Sequence, residues 1–245
     1  MKVKLLRRET AAKDTVSFYF EPQEAVTREP GQYFYLVLPE LKYPDERGPK
    51  RQFTISSSPT EGPILRITVR TRAEKISGFK RTLYELPDGA MIDAEGPNGH
   101  YILDETTPVV GEQVFIAGGI GITPYRCFMK YAIDKGLTTP MHLIYSNSTP
   151  DEITFKDELE SWARDHANIK IDMIVSHPEE SQIPWTGLTG HVDVALIEKL
   201  VPNYKAETTT LWMCGPPPMV DAIDEALGKA GIPSQRRKIE KFTGY

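Results

Sequence analysis

The stretch 114–127, VFIAGGIGITPYRC, combines residue types that bind an anionic ligand such as a pyrophosphate. The apolar run 114–117 predicts a buried strand, after which three glycines let the backbone turn sharply and approach a ligand. These glycines are Gly118, Gly119 and Gly121. Thr123 and Pro124 predict a helix start, with the threonine hydroxyl capping the first free amides. A helix N-terminus favours an anion, although a glycine turn in an ordinary α/β unit has the same pattern.

A second stretch, LWMCGPPPM over 211–219, repeats the order of buried strand, glycine turn and helix start. Cys214 stands at the carboxyl end of that strand, the edge at which open α/β sheets bind ligands. A buried, unreactive thiol is the alternative for a lone cysteine. Three prolines follow Gly215 and predict a rigid wall beside the turn.

The third stretch, RQFTISS over 51–57, offers groups suited to an aromatic phosphate ester. The Arg51 guanidinium is a fork for phosphate, Phe53 is a flat apolar face, and Thr54 carries a small hydroxyl donor. Arginine and aromatic residues are common on strands, so this stretch is not diagnostic by itself.

The composition is that of a soluble globular protein of 245 residues, with 40% hydrophobic and 26% charged residues. A net charge of −5 without a dense basic run argues against nucleic-acid binding, and no apolar run reaches the ~20 residues of a membrane span. The basic N-terminal residues are not followed by an apolar core, so a secretory signal is not predicted. Two cysteines suit a reducing cytoplasm and are too few for a four-cysteine iron–sulfur cluster within this chain. The five histidines lack ligand-like spacing, so no metal site is predicted.

The elements that must position these stretches change character near residue 104. Before it, short strands separated by turn signals predict an antiparallel barrel, with one helix over 77–86. The alternation of Leu65, Ile67 and Val69 with polar residues predicts one buried and one wet face. The six strands are predicted over 2–8, 15–20, 33–38, 51–57, 64–71 and 91–95.

After a polar connector over 103–108, predicted strands alternate with helices, which indicates a parallel sheet covered on both faces. The strands are predicted over 114–117, 141–145, 169–175, 211–214 and 238–242. The helices are predicted over 124–135, 154–165, 192–200 and 219–230.

The three stretches in this order, RQFT, GGIGITP and CGPPPM, resemble the ferredoxin–NADP reductase superfamily, and the resemblance covers essentially the whole chain. It implies two domains: a six-stranded antiparallel flavin-binding β-barrel over 1–104 and an α/β parallel-sheet nicotinamide-dinucleotide-binding domain over 109–245. The implied cofactor is FAD, with FMN as the alternative, and NADH or NADPH is the implied substrate.

The resemblance implies roles for the barrel residues. Arg51 would hold the flavin phosphate, Phe53 would pack on the isoalloxazine, and Thr54 would donate to flavin N5. The family commonly has tyrosine and serine at the last two positions, so this chain lacks one hydroxyl there. The remaining implied flavin-binding residues are Ile67, Val69, Arg70, Ser77, Gly78, Lys80 and Thr82.

In the second domain the resemblance implies contacts with the dinucleotide and a small catalytic set. The dinucleotide-binding residues would be Gly119, Gly121, Thr123, Pro124, Ser146, Asn147, Cys214, Gly215, Pro216, Pro217 and Met219. A terminal aromatic would cover the flavin, with Tyr245 as the candidate and Phe242 as the alternative. Glu240 would lie near Cys214, and the implied catalytic residues are Thr54, Cys214, Glu240 and Tyr245.

The preference between NADH and NADPH depends on cations that meet a 2′-phosphate. Ser148 and His177 stand where relatives that prefer NADPH commonly have arginine, and Asp151 and Glu152 would repel a phosphate. These residues favour NADH.

The implied activity is hydride transfer between NAD(P)H and bound FAD, with electrons passed to a separate carrier such as ferredoxin or flavodoxin. A basic rim would steer an acidic carrier, although a solvated face is the alternative. Its candidates are Arg72, Lys75, Lys80, Arg81, Arg236, Arg237, Lys238 and Lys241. Two other functions stay open: an NADH-dependent reductase component of an oxygenase or multisubunit complex, and a flavin-binding subunit without turnover.

Overall fold

A computed structural model describes residues 1–72, 76–103 and 111–243, and within them the chain forms two six-stranded sheets. The first sheet is antiparallel, in the order β4-β3-β6-β1-β2-β5. A bridge between Ile55 and Ile67 joins the continuation of β4 to β5 and closes the sheet into a barrel. The strands are β1 Lys2–Ala12, β2 Thr15–Pro22, β3 Tyr33–Val37, β4 Lys50–Thr54, β5 Leu65–Arg70 and β6 Met91–Asn98. The predicted antiparallel barrel is therefore confirmed.

Strand β5 differs from the predicted alternation on its outer face. Leu65, Ile67 and Val69 are buried in the barrel as predicted. Thr68, on the opposite face, is buried as well, because its hydroxyl lies 2.9 Å from that of Ser17 and 3.0 Å from that of Ser56. The outer face of β5 is thus covered rather than wet.

Helix α1, Gly78–Tyr84, caps the barrel and begins where the sequence predicts. Ser77 is its N-cap, with the hydroxyl accepting from the Lys80 amide. The helix ends at Tyr84, two residues before the predicted end.

The second sheet is parallel, in the order β10-β9-β8-β7-β11-β12, with helices on both faces, as predicted. Its strands are β7 Gln113–Gly118, β8 Met141–Asn147, β9 Ile169–Val175, β10 Leu188–Thr189, β11 Thr210–Gly215 and β12 Arg237–Lys241. The helices are α2 Thr123–Asp134, α3 Lys156–Asp165, α4 Val194–Leu200 and α5 Pro217–Lys229. The two-residue strand β10 is too short to be detected as a pattern.

The helix start after the glycine turn differs from the prediction in one respect. Gly119–Ile122 form a turn of 3-10 helix, and Thr123 is already the first residue of α2. Its hydroxyl donates to the carbonyl of Ile120 at 3.2 Å and caps no amide. The N–H groups at this helix start are therefore not engaged by a side-chain cap.

The predicted connector falls largely outside the described residues, so the domain limits 1–104 and 109–245 stay a prediction. Across the three described segments, helices of the length and apolarity needed to cross a bilayer are absent.

Candidate active site

A cavity of about 290 Å³ lies where the barrel meets the glycine turn of the α/β sheet. The barrel contributes β4, β5 and the start of α1, while the other wall comes from the turn after β7 and the segment after β12. The lining residues are Tyr35, Arg47, Lys50, Arg51, Gln52, Phe53, Thr54, Thr68, Val69, Arg70, Lys80, Ile120, Thr123, Lys241, Phe242 and Thr243. The lining thus includes residues of the 51–57 and 114–127 stretches, whereas residues of the 211–219 stretch are not part of it.

The apolar part of the cavity carries the predicted flat face and hydroxyl. Phe53 lies against Phe79 of α1, with ring centroids 5.8 Å apart, and this contact fixes the ring. Thr54 ends β4 and is 6% exposed, next to Val69 on the cavity wall. Adjacent side chains of an extended strand point to opposite faces. Phe53 and Thr54 nevertheless both line the cavity, because β4 ends at Thr54.

Arg51 lines the cavity but is also held by the protein. Its guanidinium pairs with Asp45, which is almost completely buried, and donates to the carbonyls of Arg47, Gly48 and Lys50 at 2.8–2.9 Å. Asp45 accepts in addition from the amide of Phe79 at 2.9 Å. This network ties the loop before β4 to the start of α1, and the sequence did not indicate the role of Asp45.

Arg70 is the less satisfied cation of the cavity. Its Nε and Nη2 atoms are buried without a hydrogen-bond partner, and its nearest carboxylate, Glu152, is 3.5 Å away. Burial, together with the charges of Arg70, Arg47 and Arg51, lowers the pKa of the Lys80 ammonium to about 8. A further anion near Lys80 would favour its charged form, so this end of the cavity is suited to a phosphate.

Four predicted flavin-binding residues do not line the cavity, because their groups serve the fold. The Ile67 side chain is fully buried in the barrel core. The Ser77 hydroxyl caps α1, and the Thr82 hydroxyl accepts from the Lys42 amide at 3.1 Å. Gly78 packs against backbone, since a Cβ there would lie 2.3 Å from the Pro44 carbonyl oxygen. Sequence reasoning missed Arg47, which lies in the loop before β4, and Lys50, the first residue of β4, because neither stands in a periodic pattern.

The glycines of the turn after β7 are needed for contacts between protein segments. A Cβ at Gly118 would lie 2.6 Å from the Met219 sulfur, and one at Gly119, where φ is +52°, would lie 3.1 Å from Arg70. A Cβ at Gly121 would lie 2.3 Å from the Cys214 carbonyl oxygen. The glycine turn and the CGPPPM stretch therefore touch, which the sequence predicts only as two separate ligand-binding motifs.

Cys214 and Glu240 are paired residues of the neighbouring strands β11 and β12, as the predicted proximity requires. Burial raises the pKa of Glu240 to about 7, and its Oε2 atom is buried without a hydrogen-bond partner. Burial and then the Glu240 charge hold the pKa of the Cys214 thiol well above its ordinary value, so this sulfur is a neutral thiol at physiological pH. Pro216 and Pro217 cap the same edge, where Pro217 begins α5.

Of the two terminal aromatic candidates, the structure describes Phe242. Its amide donates to the Gly215 carbonyl at 3.0 Å, and its ring packs against the core cluster and lines the cavity. Tyr245 lies outside the described residues. Phe242 therefore lines the cavity, and its role as the aromatic cover of the flavin stays a prediction.

The edge of β8 has one unsatisfied polar side chain among the predicted residues. Asn147 is 4% exposed, and both atoms of its amide group are buried without partners. Ser146 precedes it at the end of β8, and the backbone carbonyl of Ser148 accepts from the His177 amide at 2.8 Å. The side-chain amide of Asn147 would therefore be available to hydrogen-bond with a dinucleotide at this edge.

The carboxylates expected to repel a 2′-phosphate are already neutralised. Asp151 pairs with Lys13 at 3.2 Å, and Glu152, 6% exposed, pairs with Arg72 at 2.5 Å and lies 3.5 Å from Arg70. Because the charges of these two carboxylates are paired within the protein, the preference for NADH stays a prediction. Beside Ser148 the structure instead places an exposed group whose ligand-type atoms lie within 4.8 Å of one another: His177, Glu179 and Glu180.

Most members of the predicted basic rim are engaged within the protein. Arg72 pairs with Glu152, Arg81 with Glu85, Arg237 with Asp224 and Lys241 with Asp221. Arg236 donates to three backbone carbonyls, Lys80 lines the cavity, and Lys75 lies outside the described residues. Intramolecular carboxylates and carbonyls thus already engage most of these cations, and the basic rim as a docking surface stays a prediction.

Comparison with known proteins agrees with this architecture. Residues 115–225 match the family model of the oxidoreductase NAD-binding domain. The glycine betaine monooxygenase reductase subunit of Chromohalobacter salexigens is 28% identical over 94% of this chain and 58% of its own length. Ferredoxin–NADP reductase B of Sorangium cellulosum is 29% identical over 93% of this chain and 90% of its own length. The cytochrome b5 reductase domain of Ulva prolifera nitrate reductase superposes with a TM-score of 0.82 at 23% identity, over 98% of this chain and 96% of that domain.

The chain thus spans little more than half of the Chromohalobacter protein. The resemblance to the ferredoxin–NADP reductase superfamily that the sequence motifs indicate is thereby confirmed. That superfamily binds FAD and NAD(P)H. The cavity fits the flavin, because Phe53, Val69 and Phe242 form an apolar wall and Thr54 supplies a hydroxyl. The cations around Lys80 are suited to bind the flavin phosphates.

Proposed function

We propose that the chain is an NAD(P)H-dependent flavin oxidoreductase that transfers hydride between the nicotinamide and bound FAD and passes electrons to a separate carrier, such as ferredoxin or flavodoxin. The observation that carries this proposal is the shared cavity, to which the barrel brings Phe53 and Thr54 and the α/β sheet brings Ile120 and Thr123. Bound FAD would supply an acceptor for two electrons that it releases one at a time. FMN is the alternative flavin.

The chain's residues contribute by binding and positioning. Arg51, Arg70 and Lys80 would hold the flavin phosphates, and Phe53 would pack on the ring while Thr54 hydrogen-bonds to it. Phe242 would exclude water from the same face until the nicotinamide arrives. Hydride transfer gains most of its rate from holding donor and acceptor in contact, so these residues need no chemistry of their own.

The dinucleotide would bind along the carboxyl edge of the parallel sheet, where α/β folds place such ligands. Gly119, Gly121, Thr123 and Pro124 would meet its pyrophosphate, and Asn147 with Ser146 would hydrogen-bond farther along the edge. The nicotinamide would be guided by the segment after β11, which consists of Cys214, Gly215, Pro216, Pro217 and Met219. Glu240, with a pKa of about 7, is suited to hold or release a proton beside Cys214 at neutral pH.

An anaerobic titration of the flavin-loaded protein with NADH, and separately with NADPH, tests the proposal. Bleaching of the visible flavin band by either nucleotide supports the reductase function, and the lower half-saturating concentration identifies the preferred nucleotide. Binding of flavin without bleaching by either nucleotide contradicts it and favours a flavin-binding subunit without turnover. Failure to take up FAD or FMN contradicts the assigned cavity.

A soluble one-electron carrier is the proposed acceptor, in line with the Sorangium relative named as a ferredoxin–NADP reductase. Cys127 and Cys214 are both free and buried, which suits a cytoplasmic site of action. Reduction of an acidic ferredoxin or flavodoxin by the loaded protein, measured over a range of ionic strength, tests this part. Rates that do not change with salt contradict electrostatic steering of the carrier.

The second candidate is an NADH-dependent reductase component of an oxygenase or another multisubunit complex. It is favoured by the Chromohalobacter relative, which is named as the reductase subunit of a monooxygenase. A stoichiometric partner retained through purification from the native cell, and reduced faster than a free ferredoxin, supports this candidate over a freely diffusing carrier.

A further inference from the structure

Arg126, on α2, is 2% exposed and lies where the α/β sheet meets the barrel. Its guanidinium binds two carboxylates at once. From the barrel side, Glu61 accepts from Nη1 and, at 2.9 Å, from Nη2. From α3, Glu158 accepts from Nε at 3.0 Å and from Nη2 at 2.9 Å. Nη1 also donates to the Ser56 carbonyl at 3.1 Å, so all five N–H donors of this side chain are used.

A second arginine extends the contact back to the barrel. Arg66, on β5, donates from Nη1 to Glu158 at 3.1 Å. The charges therefore alternate in the order Glu61, Arg126, Glu158, Arg66, and two of the three ion pairs join the barrel to the α/β sheet. We call these four residues the ionic clamp.

Aromatic rings lie beside the two arginines of the ionic clamp. The Arg66 guanidinium carbon lies 4.5 Å from the centre of the Phe155 ring, and that of Arg126 lies 5.5 Å from the Trp162 ring. Phe155 has a φ of 63°, a left-handed conformation that costs free energy for a bulky residue. That conformation persists where the surroundings fix it, here with the ring buried beside both guanidinium groups.

The pKa shifts of Glu158 and Arg126 both favour the charged forms of these two clamp residues. Burial raises the pKa of Glu158, but the hydrogen bond and charge of Arg126 and the charge of Arg66 outweigh it, and the pKa lies below its ordinary value. Burial lowers the pKa of Arg126, and the hydrogen bonds to Glu158 and Glu61 more than compensate. Removing one member would leave a buried charge without its partner, which is far more disruptive than losing a surface pair.

The clamp acts on the two chain segments that form the proposed cavity. Arg126 is three residues after Thr123, and Ser56 is two residues after Thr54, and both Thr123 and Thr54 line the cavity. Cys127 adds a second contact, its thiol donating to the Ser57 carbonyl at 3.3 Å. The hydrogen bonds of Arg126 and Cys127 thus connect the glycine turn with β4 at points only a few residues from the cavity.

We propose that Arg126 is a positioning residue that fixes the α/β domain against the barrel, so that the nicotinamide and the flavin meet in register. The proposal rests on the proposed hydride transfer. Hydride transfer needs reacting atoms in van der Waals contact, and a misplacement of about 1 Å can cost about 100-fold in rate. A purely stabilising role for Arg126 would change unfolding but not the rate at saturating nucleotide.

The test compares Arg126→Gln and Arg126→Lys with a matched control, Arg8→Gln. Arg8 also combines an ion pair, to Asp88 at 2.9 Å, with hydrogen bonds to two carbonyls, but all of these lie within the barrel. We expect Arg126→Gln to lower the flavin-reduction rate at saturating NADH or NADPH by about 10- to 100-fold. We expect the dissociation constants for FAD and the nucleotide to stay within about twofold. Arg126→Lys should recover part of the rate, because a lysine satisfies one carboxylate but not both.

Hydrogen exchange on the flavin-free protein gives a readout that does not depend on activity. Arg126→Gln should raise exchange in 55–61 and 123–134, whereas Arg8→Gln should not. An unchanged reduction rate in Arg126→Gln, or an equal loss in Arg8→Gln, overturns the proposal. If Arg126→Gln does not fold, Arg66→Gln breaks the other cross-domain pair, and a wild-type rate in that variant is equally contradictory. A wild-type protein that neither nucleotide reduces would refute the proposed function, while the exchange result would still decide whether Arg126 holds the interface.

Discussion

Gly121 lies directly against the carbonyl group of Cys214, where the glycine turn after β7 passes the end of β11. A Cβ at position 121 would be 2.3 Å from that oxygen and 2.8 Å from the Gly215 Cα. Both neighbours are backbone atoms of a buried strand end, so they cannot rotate away as a flexible side chain would. Glycine at this position is what lets the two proposed nicotinamide-binding segments touch.

Gly121→Ala is therefore expected to push these segments apart. We predict at least about tenfold weaker nucleotide binding or slower flavin reduction, and a loss of about 1–3 kcal/mol in the free energy of unfolding. Gly228→Ala is the control, because its added Cβ would meet only the end of the flexible Arg237 side chain. Stopped-flow flavin reduction and denaturant unfolding measure both effects. Normal nucleotide binding in Gly121→Ala would show that the contact with Cys214 is dispensable.

The Glu240 carboxyl group is predicted to make stability fall as the pH rises towards neutrality. Its pKa is raised by burial from an ordinary 4.5 to about 7. The folded protein therefore holds a proton that the unfolded chain releases, and this contribution is complete below about pH 4.5 and lost as the pH rises through 7. Relative to Glu240→Gln, wild type should lose about 1–3 kcal/mol of unfolding free energy across that window. Denaturant unfolding of both proteins at several pH values measures this, and parallel pH curves would contradict it.

The sequence predicts the fold well where the signal is local. The alternation on β5 and the strand–glycine–helix pattern around Gly119 depend on neighbours within a few residues, and both elements are where they were expected. The ion pairs of two cavity-lining arginines do not follow from such a pattern. Arg51 pairs with Asp45 across a loop without periodicity, and Arg70 lies 3.5 Å from Glu152, in the segment after β8. No spacing in the sequence indicates such pairs.

The same limit applies to the site residues predicted at the start of α1. Ser77 and Thr82 have hydroxyls suited to phosphate, yet these oxygens accept from a helix amide and a loop amide. Residue type alone shows what a side chain offers, and the competing partner is decided by tertiary packing. Conversely, Asn147 is a ligand candidate from the sequence only through the family resemblance, and its burial without partners adds a physical reason.

The roles of Phe242 and Tyr245 can be separated by substitution. Phe242 lines the cavity beside Thr243, so Phe242→Ala should open the flavin to solvent. We expect faster reoxidation of the reduced protein by oxygen and a shift in the flavin absorption and fluorescence spectra. Phe242→Leu keeps an apolar side chain and should stay closer to wild type. If Tyr245→Ala has these effects and Phe242→Ala does not, the terminal tyrosine is the cover.

Lys80 gives the cavity a measurable proton linkage to flavin binding. In the flavin-free protein its pKa is lowered to about 8 by burial and by the charges of Arg70, Arg47 and Arg51. Its contribution to stability is therefore complete above the ordinary value of 10.5 and is lost as the pH falls through 8. The FAD phosphates would offset the positive potential and raise the pKa, so binding near pH 9 should take up protons, whereas binding at about pH 6 should not.

Calorimetric titrations of FAD into the flavin-free protein, in two buffers of different ionisation enthalpy, measure this uptake. Lys80→Met should abolish it and weaken FAD binding about tenfold, because one charge-assisted phosphate contact is lost. Lys130→Met is the control, since Lys130 pairs with Asp134 on α2 and does not line the cavity. The absence of proton uptake by the wild-type protein near pH 9 would mean that the phosphates bind away from Lys80. Arg51 and Arg70 would then have to hold them without it.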